Sequence, residues 1–449
     1  MKFQSFFTTI SLLFSVFVPT FAQTTISGII NKYTPVTAFG CDSSRLTVGT
    51  VTGFLPGDKV LLIQMKGASA SLANNSTFGD ILSAGNAGNY EFNRIESVSG
   101  ATNEIRLQYK ITRSYNIGGR IQLVRVPEYD NVTANSLTCP PWDGITGGIL
   151  VLDVANTLSL QGNIDVSNRG FRGGTLVDSD NPSAHETGIF YAPDPDLAAE
   201  KGEGIAEIPA NQSFGRGKST LGGGGGNAHN AGGGGGGNAG SGGNGGLEYY
   251  NTPSSPTPGT NGLAGLNIFN VNAQRVVLGG GGGAGHSNDG QGTSGGRGGG
   301  IVILTAGTVQ GNGFKILANG ENVLSPGDNR NDGQGGGGAG GTVLFSAGQV
   351  TGDLPIELKG GRGGDCLFFV NSQIIGPGGG GGGGKLALSQ LFPNVMLSLN
   401  GGQNGIANQN LTNDAQPGQP GSVLFPLSLV VDTIPVSNNI LDLGPDVVL

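Results

Sequence analysis

The chain has 449 residues, a formal net charge of −8 and only 12% charged residues, a balance that argues against nucleic acid as a partner. Glycine is abundant, with 88 residues, but it comes in blocks and not at every third position, which excludes collagen. The 36% of hydrophobic residues can build a sizeable core, so the composition favours a folded protein over a disordered one.

The N-terminus has the pattern of an export signal. Lys2 precedes an apolar stretch over residues 6–18, and Pro-Thr-Phe-Ala follows, ending at Ala22. This pattern predicts a signal peptide over residues 1–22. No later apolar run reaches the roughly 18 to 20 residues that a membrane helix needs. We therefore expect an exported protein, extracellular or on the outer cell surface, whose mature chain does not insert into the membrane.

Residues 23–135 contain few glycines and read as short strands separated by turns. Pro56-Gly57-Asp58 lies between two strand-like runs, a hairpin signal in which proline presets φ and glycine takes the positive-φ position. A second pair of alternating runs covers residues 104–109 and 120–126. This segment is predicted to form a small β-barrel or β-sandwich.

An internal repeat follows over residues 136–430. Each unit has a Gly-Gly step, an apolar strand, a short break and a second alternating strand, and a weaker start lies near residue 420. One unit cannot form a core alone, so neighbouring units must stack. The repeat predicts an all-β fold that ends in a glycine-rich, parallel β-helix-like solenoid. The Gly-Gly steps are residues 147–148, 299–300, 340–341 and 383–384.

A long insertion, about residues 173–297, separates the first two units. It contains the glycine blocks 222–226, 232–237 and 279–283. Such blocks can be flexible tethers. We expect them to be packed instead, because chains without Cβ atoms can approach closely as extended left-handed threefold segments and exchange backbone hydrogen bonds.

Three cysteines allow one disulfide. Cys41 and Cys139 bracket a segment of distinct composition, and disulfides persist in exported proteins, so a bridge between them is one interpretation. Buried thiols without a bridge are the other. Cys366 is left over in either case.

Candidate metal sites are sparse. Residues 360–368, which include Asp365, fit one copy of a calcium-binding nonapeptide, although such sites need successive copies. His185 and Glu186 lie near further carboxylates, including Glu200 and Glu203, and together suggest a metal site or a carboxylate pair. A solvated polar loop explains the same residues, and no close two-histidine spacing occurs. No cofactor is expected, with calcium as the single candidate exception.

Several runs carry a family resemblance: residues 33–36 (YTPV), 53–68 (GFLPGDKVLLIQMKGA), 121–129 (IQLVRVPEY) and 142–148 (WDGITGG). They resemble the glycine-rich N-terminal regions of large exported surface proteins of Bacteroidota, gliding-motility-associated or type IX-secreted and adhesin-like. The resemblance implies a surface location and an adhesive role. Residues 441–449 are similar to the opening strand of Ig-like or PKD-like modules, so residues 431–449 are interpreted as a linker or the start of a truncated module.

Two functions compete. The first is a non-catalytic structural or adhesive module that binds an extracellular glycan, a protein or an abiotic surface. The alternative is a polysaccharide lyase or hydrolase on a β-helix scaffold, which would require charged side chains at matching positions of successive turns. The charged candidates are assigned to different registers, which favours the non-catalytic function. These candidates are Asp153, Asp165, Lys315, Glu357 and Lys385.

Overall fold

The computed structural model describes residues 24–180, 186–193, 195–249, 256–268, 273–325, 331–367, 375–427 and 429. The predicted signal peptide and the segment 431–449 lie outside these residues. Within them the chain is almost entirely strand and extended segments. The strands are β1 Thr24–Ile29, β2 Tyr33–Phe39, β3 Arg45–Val48, β4 Lys59–Gln64, β5 Ser69–Ala70, β6 Ile81–Ser83, β7 Tyr90–Ser99, β8 Glu104–Leu107, β9 Ile121–Val126, β10 Glu128–Thr138, β11 Ile149–Leu160, β12 Ile164–Asp165, β13 Glu248–Tyr249, β14 Pro256–Thr257, β15 Ile301–Gln310, β16 Ile316–Leu317, β17 Thr342–Thr351, β18 Leu354–Glu357, β19 Lys385–Leu388, β20 Val395–Ser398 and β21 Ser422–Leu424.

The N-terminal part forms a closed barrel, in the order β2, β3, β8, β7, β4, β9. All its pairings are antiparallel, and closure leaves no free edge. The alternating runs point one side of each strand inward, where Leu46, Leu62, Ile105 and Leu123 are completely buried. Of the two architectures predicted, a barrel or a sandwich, the structure forms the barrel.

The repeat units stack as predicted. Ile149 pairs in parallel with Ile301, Ile301 with Thr342, and Thr342 with Lys385. Lys385 pairs in turn with Ser422, so the weaker fifth start also joins the stack. The strands that follow each Gly-Gly step therefore lie in one register along the solenoid.

The large parallel sheet has two arms. The first arm is β1, the N-terminal part of β10, β11, β15, β17, β19 and β21, and the second arm is the end of β10, β12, β16, β18 and β20. The space between the arms is filled by apolar side chains such as Leu152, Leu304 and Phe345 from the first arm and Ile316 and Ile356 from the second. The alternate residues of the first arm form a second core with the barrel and the glycine-rich segments.

The boundary between barrel and solenoid differs from the predicted division near residue 135. β1 pairs with β10 in the parallel sheet, although it precedes the barrel in sequence. The barrel ends with β9 at Val126, and β10 already pairs with β11 from Glu128 onward. Composition could not mark this boundary, because the strands on both sides of it contain few glycines.

The glycine blocks are packed, as expected, and form a bundle of extended segments that we call the glycine bundle. Its central segment is residues 232–237. Successive amides of this segment donate to different neighbours, and every third amide returns to the same one: Gly233 donates to Gln334 and Gly236 to Gly337, both at 2.9 Å. This period of three is the geometry of a threefold extended helix.

Six segments surround this central one. Its amides donate to three of them and its carbonyls accept from the other three, all at 2.7–3.0 Å. Every backbone group of residues 232–237 is therefore bonded without water. The neighbouring segments are residues 221–224, 243–246, 262–265, 280–283, 334–337 and 379–382.

Glycine is required sterically in this lattice. A Cβ atom at Gly235 would lie 2.0 Å from the carbonyl oxygen of Gly380, and one at Gly223 would lie 2.0 Å from that of Gly234. Both distances are far below any allowed contact.

Helical structure within the described ranges amounts to turns of three residues, much too short to cross a membrane.

Candidate functional site

A charged cleft lies where the barrel meets the glycine bundle. Its volume is about 270 Å³. Lys66, which follows β4 of the barrel, reaches into the cleft towards Glu203, which lies between two glycines of the bundle. Glycines 202 and 204 allow this close approach, since a Cβ at Gly202 would lie 2.1 Å from the carbonyl oxygen of Gly281. The cleft is lined by Lys66, Arg172, Gly173, Thr175, Glu200, Lys201, Gly202, Glu203, Gly204, Ala206, Glu207, Ile208, Ser213 and Ser219.

Opposite charges in the cleft form a connected network. The Lys66 ammonium lies 2.8 Å from Glu203 and 3.3 Å from Glu207, and Lys66 is almost fully buried. Arg172 lies 3.0 Å from the other oxygen of Glu203, and Arg120 lies 2.8 Å from Glu207. The network joins the barrel residues Lys66 and Arg120 to the bundle.

This network fixes the protonation of Glu203. Burial by itself raises the pKa of this carboxyl, but Lys66 and Arg172 outweigh burial and hold the pKa at about 2. The Trp142 indole N–H donates to the same carboxylate at 3.1 Å. Glu203 therefore stays ionised near neutral pH and cannot serve as a general acid there. Its oxygens are engaged by donors, so its geometry suits a structural ion pair better than a nucleophile.

Lys201 points into the protein beside the cleft. Its ammonium group donates to the Phe214 carbonyl oxygen and lies 5.0 Å from the centre of the Phe78 ring. Burial lowers the pKa of Lys201 well below its ordinary value. Another buried lysine, Lys385, belongs to β19 and donates to the Arg275 carbonyl oxygen, and burial lowers its pKa to about 7.

A second polar cluster lies at the edge of the glycine bundle. The Ser287 hydroxyl lies 2.7 Å from the carboxylates of both Asp178 and Asp332. The Gln291 amide also donates to Asp332, at 3.0 Å. Burial raises the pKa of Asp332 to about 6. The hydrogen bond from Ser287 lowers this pKa and the neighbouring carboxyl of Asp289 raises it, but burial is the largest contribution. A single hydroxyl proton cannot serve two carboxylates, so this geometry, like the raised pKa, favours a proton on Asp332.

Two histidines of the long insertion, His229 and His286, belong to the part of the chain that the structure describes, and there they do not form a metal-binding group. His286 accepts a hydrogen bond from the Asn230 amide at 3.1 Å, and its ring centre lies 6.3 Å from that of His229. Burial and the neighbouring His229 lower the pKa of His286 to about 4, so His286 is neutral at pH 7.

Of the three predicted metal ligands, Asp365 and Glu186 belong to the described residues. Asp365 makes a two-point ion pair with Arg362, at 2.5 and 2.6 Å, and accepts from the Ile406 amide. His185 lies outside the described residues, and the Glu186 amide donates to Ala228. Across the described residues, no group of three or more His, Cys, Asp or Glu side chains could hold a metal ion. Asp365 is therefore a partner of arginine, a role that the nonapeptide pattern did not anticipate.

The predicted disulfide between Cys41 and Cys139 is wrong for this structure, where both are free thiols. Cys41 is exposed in the turn between two barrel strands, whereas Cys139 is buried in the core between the arms of the sheet. Cys139 belongs to the solenoid core because β10 is part of the solenoid, whereas Cys41 lies on the surface of the barrel. Burial raises the pKa of Cys139 to about 12, which makes it a poor nucleophile.

The register of the solenoid corrects one further expectation. Asp165 pairs with Leu317, which pairs with Glu357, so these two carboxylates share one register with a leucine between them. Glu357 is neutralised by Lys315 at 2.9 Å and by Lys359 at 2.7 Å. The column therefore provides a surface ion-pair cluster and not a pair of facing catalytic carboxylates.

Sequence reasoning singled out Glu203 only as a member of a polar loop. It missed Lys66, Arg172 and Lys201, because their partners are distant in the chain. The one local signal was the pair of glycines on either side of Glu203, which allows a charged side chain to sit inside a close-packed glycine segment.

Comparison of the sequence with protein-family models and with curated proteins gives no match. Two solved structures are similar over most of the chain. One is the Gp54 tailspike of Acinetobacter baumannii bacteriophage AP22, in complex with A. baumannii capsular saccharide, with 10% identity, a TM-score of 0.18, and coverage of 86% of this chain and 58% of the tailspike. The other is the tailspike gp49 of Pseudomonas phage LKA1, with 9% identity, a TM-score of 0.16, and coverage of 84% and 64%. Both TM-scores are too low to support a functional inference.

Proposed function

We propose that the chain is a non-catalytic, exported surface protein whose solenoid and glycine bundle form a rigid structural or adhesive module. The proposal includes the predicted surface location and the relationship to the Bacteroidota surface proteins. The partner is an extracellular glycan, a protein or an abiotic surface.

The observation that carries the proposal is the saturated hydrogen bonding of residues 232–237 to six neighbours. A lattice of this kind holds many crossings of the chain together through backbone hydrogen bonds. It provides stiffness and a fixed outer shape, which an adhesive surface needs in order to bind without a large loss of conformational entropy. A flexible insertion could not supply this.

Limited proteolysis of the mature chain, with and without a chelator, tests the rigid module. We expect residues 222–283 to resist cleavage equally in both conditions, apart from positions outside the described ranges. Rapid cutting inside the blocks 222–226 or 232–237 would overturn the rigid module. Retention of the purified protein on glycan-, protein- and mineral-coated beads tests adhesion, and failure on all three would overturn that role.

The cleft favours one second candidate, a polysaccharide lyase or hydrolase, because it holds Glu200, Glu203 and Glu207 beside Lys66 in a cavity of about 270 Å³. Incubation with acidic and neutral polysaccharides, followed by assays for new reducing ends and unsaturated products, tests it. Turnover that Glu203→Gln abolishes would establish the enzyme and refute the non-catalytic function. We expect no turnover, since Glu203 is ionised and held by cations.

A further inference from the structure

The outer face of the first arm is covered differently along its length. In the first half of β11 both faces are buried, because one side packs on the barrel and the glycine bundle. A register shift then occurs between Val154 and Thr157. Beyond it only the residues of the inner face, such as Leu158 and Val309, are buried, and the outer face meets solvent.

Parallel pairing arranges the outward side chains of this open half into columns. Thr25 pairs with Thr133, Thr133 with Ser159, Ser159 with Gln310, and Gln310 with Thr351. A neighbouring column runs beside it, two residues earlier on each strand. It consists of Asn131, Thr157, Thr308 and Gln349. We call these two rows the polar columns.

The polar columns carry hydroxyl and amide groups and no charge. The second arm, in contrast, presents Lys315, Glu357 and Lys359 to solvent. The polar columns lack such charged side chains. Thr308 and Gln310 are partly exposed, and among the described residues their side chains make no hydrogen bond. Two other column residues are engaged: Ser159 accepts from the Asn312 side chain at 3.5 Å, and the Asn131 side chain accepts from the Thr157 amide at 3.2 Å.

The spacing of the columns follows from the sheet. Neighbouring strands lie about 4.8 Å apart, and alternate residues along a strand lie about 6.7 Å apart. The groups therefore form a regular two-dimensional array on a stiff support. An array of neutral donors and acceptors complements a polymer that presents hydroxyls at regular intervals. It lacks the aromatic and arginine anchors on which protein interfaces depend.

We propose that the polar columns bind the surface of a neutral, hydroxyl-rich polysaccharide. This deepens the proposed adhesive function and rests on it. The chain then lies across the strands and exchanges hydrogen bonds with side chains of both columns. Because the columns carry no charge, salt has little effect on this binding.

Co-sedimentation of the mature protein with insoluble cellulose and chitin tests the proposal. The variant combines Thr308→Ala and Gln310→Ala, which removes one group from each column. The control combines Ser97→Ala and Ser99→Ala, two positions with the same spacing on β7 of the barrel. We expect the variant to bind about tenfold more weakly, from the loss of two or more hydrogen bonds, and the control to bind like the wild type.

The outcomes separate this inference from the adhesive function. Binding by the wild type that persists from about 0.05 M to about 0.5 M NaCl and falls in the column variant supports the inference. Equal binding by variant and wild type overturns the assignment to the polar columns but leaves an adhesive protein. Retention on protein or mineral alone overturns the polysaccharide ligand, and loss of all retention overturns both proposals.

Discussion

Replacing Gly235 by alanine tests the packing of the glycine bundle most directly. Its Cβ would lie 2.0 Å from the Gly380 oxygen and 2.5 Å from the Gly380 carbon. Both neighbours are backbone atoms in a close-packed segment, so no side-chain rotation can relieve the contact. The segment 379–382 would have to move away from 232–237.

The contacts of Gly235 determine how much its replacement by alanine should lower the free energy of unfolding. Overpacking a tight interior costs about 1 to 3 kcal/mol. The two hydrogen bonds that join the segments, from Gly379 to Gly233 and from Gly382 to Gly236, would stretch, at about 1 kcal/mol each. Alanine restricts the unfolded chain and recovers about 0.4 to 1 kcal/mol. We expect Gly235→Ala to lower the free energy of unfolding by about 3 kcal/mol.

Thermal denaturation followed by circular dichroism measures the effect, with Gly188→Ala as the control. Gly188 lies in the same insertion, but its Cβ would meet no atom within 4 Å. We expect the Tm of Gly235→Ala to fall by about 3 °C and that of Gly188→Ala to stay within about 1 °C of the wild type. Equal Tm values for the two variants would refute the close-packed bundle.

Three further predictions concern buried charges. The folded-state pKa of Lys385 is depressed to about 7, so the stability of the wild type should rise with pH between about 7 and 10. Lys385→Met should remove that rise and add about 4 kcal/mol at pH 7, less about 1 kcal/mol for the lost hydrogen bond to Arg275. The raised pKa of Asp332 predicts that stability is lost as pH rises from about 4 through 6, so Asp332→Asn should be more stable than the wild type at pH 7 by about 2 kcal/mol. The lowered pKa of Glu203 contributes stability above about pH 4.5 that is lost as pH falls towards 2, and Glu203→Gln should cost about 3 kcal/mol at pH 7 by leaving Lys66 buried without its closest carboxylate.

Melting curves at several pH values check all three. Lys315→Met, at an exposed ion pair, is the matched control for Lys385→Met and should change stability by less than about 1 kcal/mol. A change in stability on Lys385→Met that is the same at pH 7 and at pH 9 would contradict the depressed pKa of the buried amine. Unchanged pH dependence in Asp332→Asn would exclude Asp332 as the group that titrates near pH 6. Glu203→Gln with wild-type stability would show that the cleft network is not structural.

The sequence predicted the solenoid well because its signals are local and repeated. Each Gly-Gly step is followed by an apolar strand, and alignment of these steps places Ile149, Ile301, Thr342 and Lys385 in the register that the structure has. The packing of glycine blocks also followed from one atomic fact, the absence of Cβ. The sequence did not reveal the polar columns, because the register shift after Val154 changes which residues align across the strands.

The sequence by itself therefore determined the all-β class, the barrel-sized N-terminal unit, the repeat register and the capacity of glycine segments to pack. The tertiary structure alone decided that β1 and β10 join the solenoid, that Cys139 is buried in the solenoid core while Cys41 is exposed on the barrel, and that Lys66 neutralises Glu203. The physical reason is range: turns and strand alternation depend on neighbouring residues. Ion pairs, burial and pKa values depend on which distant segments meet. Glycine segments have no side chains, so their sequence does not indicate which segments they pack against.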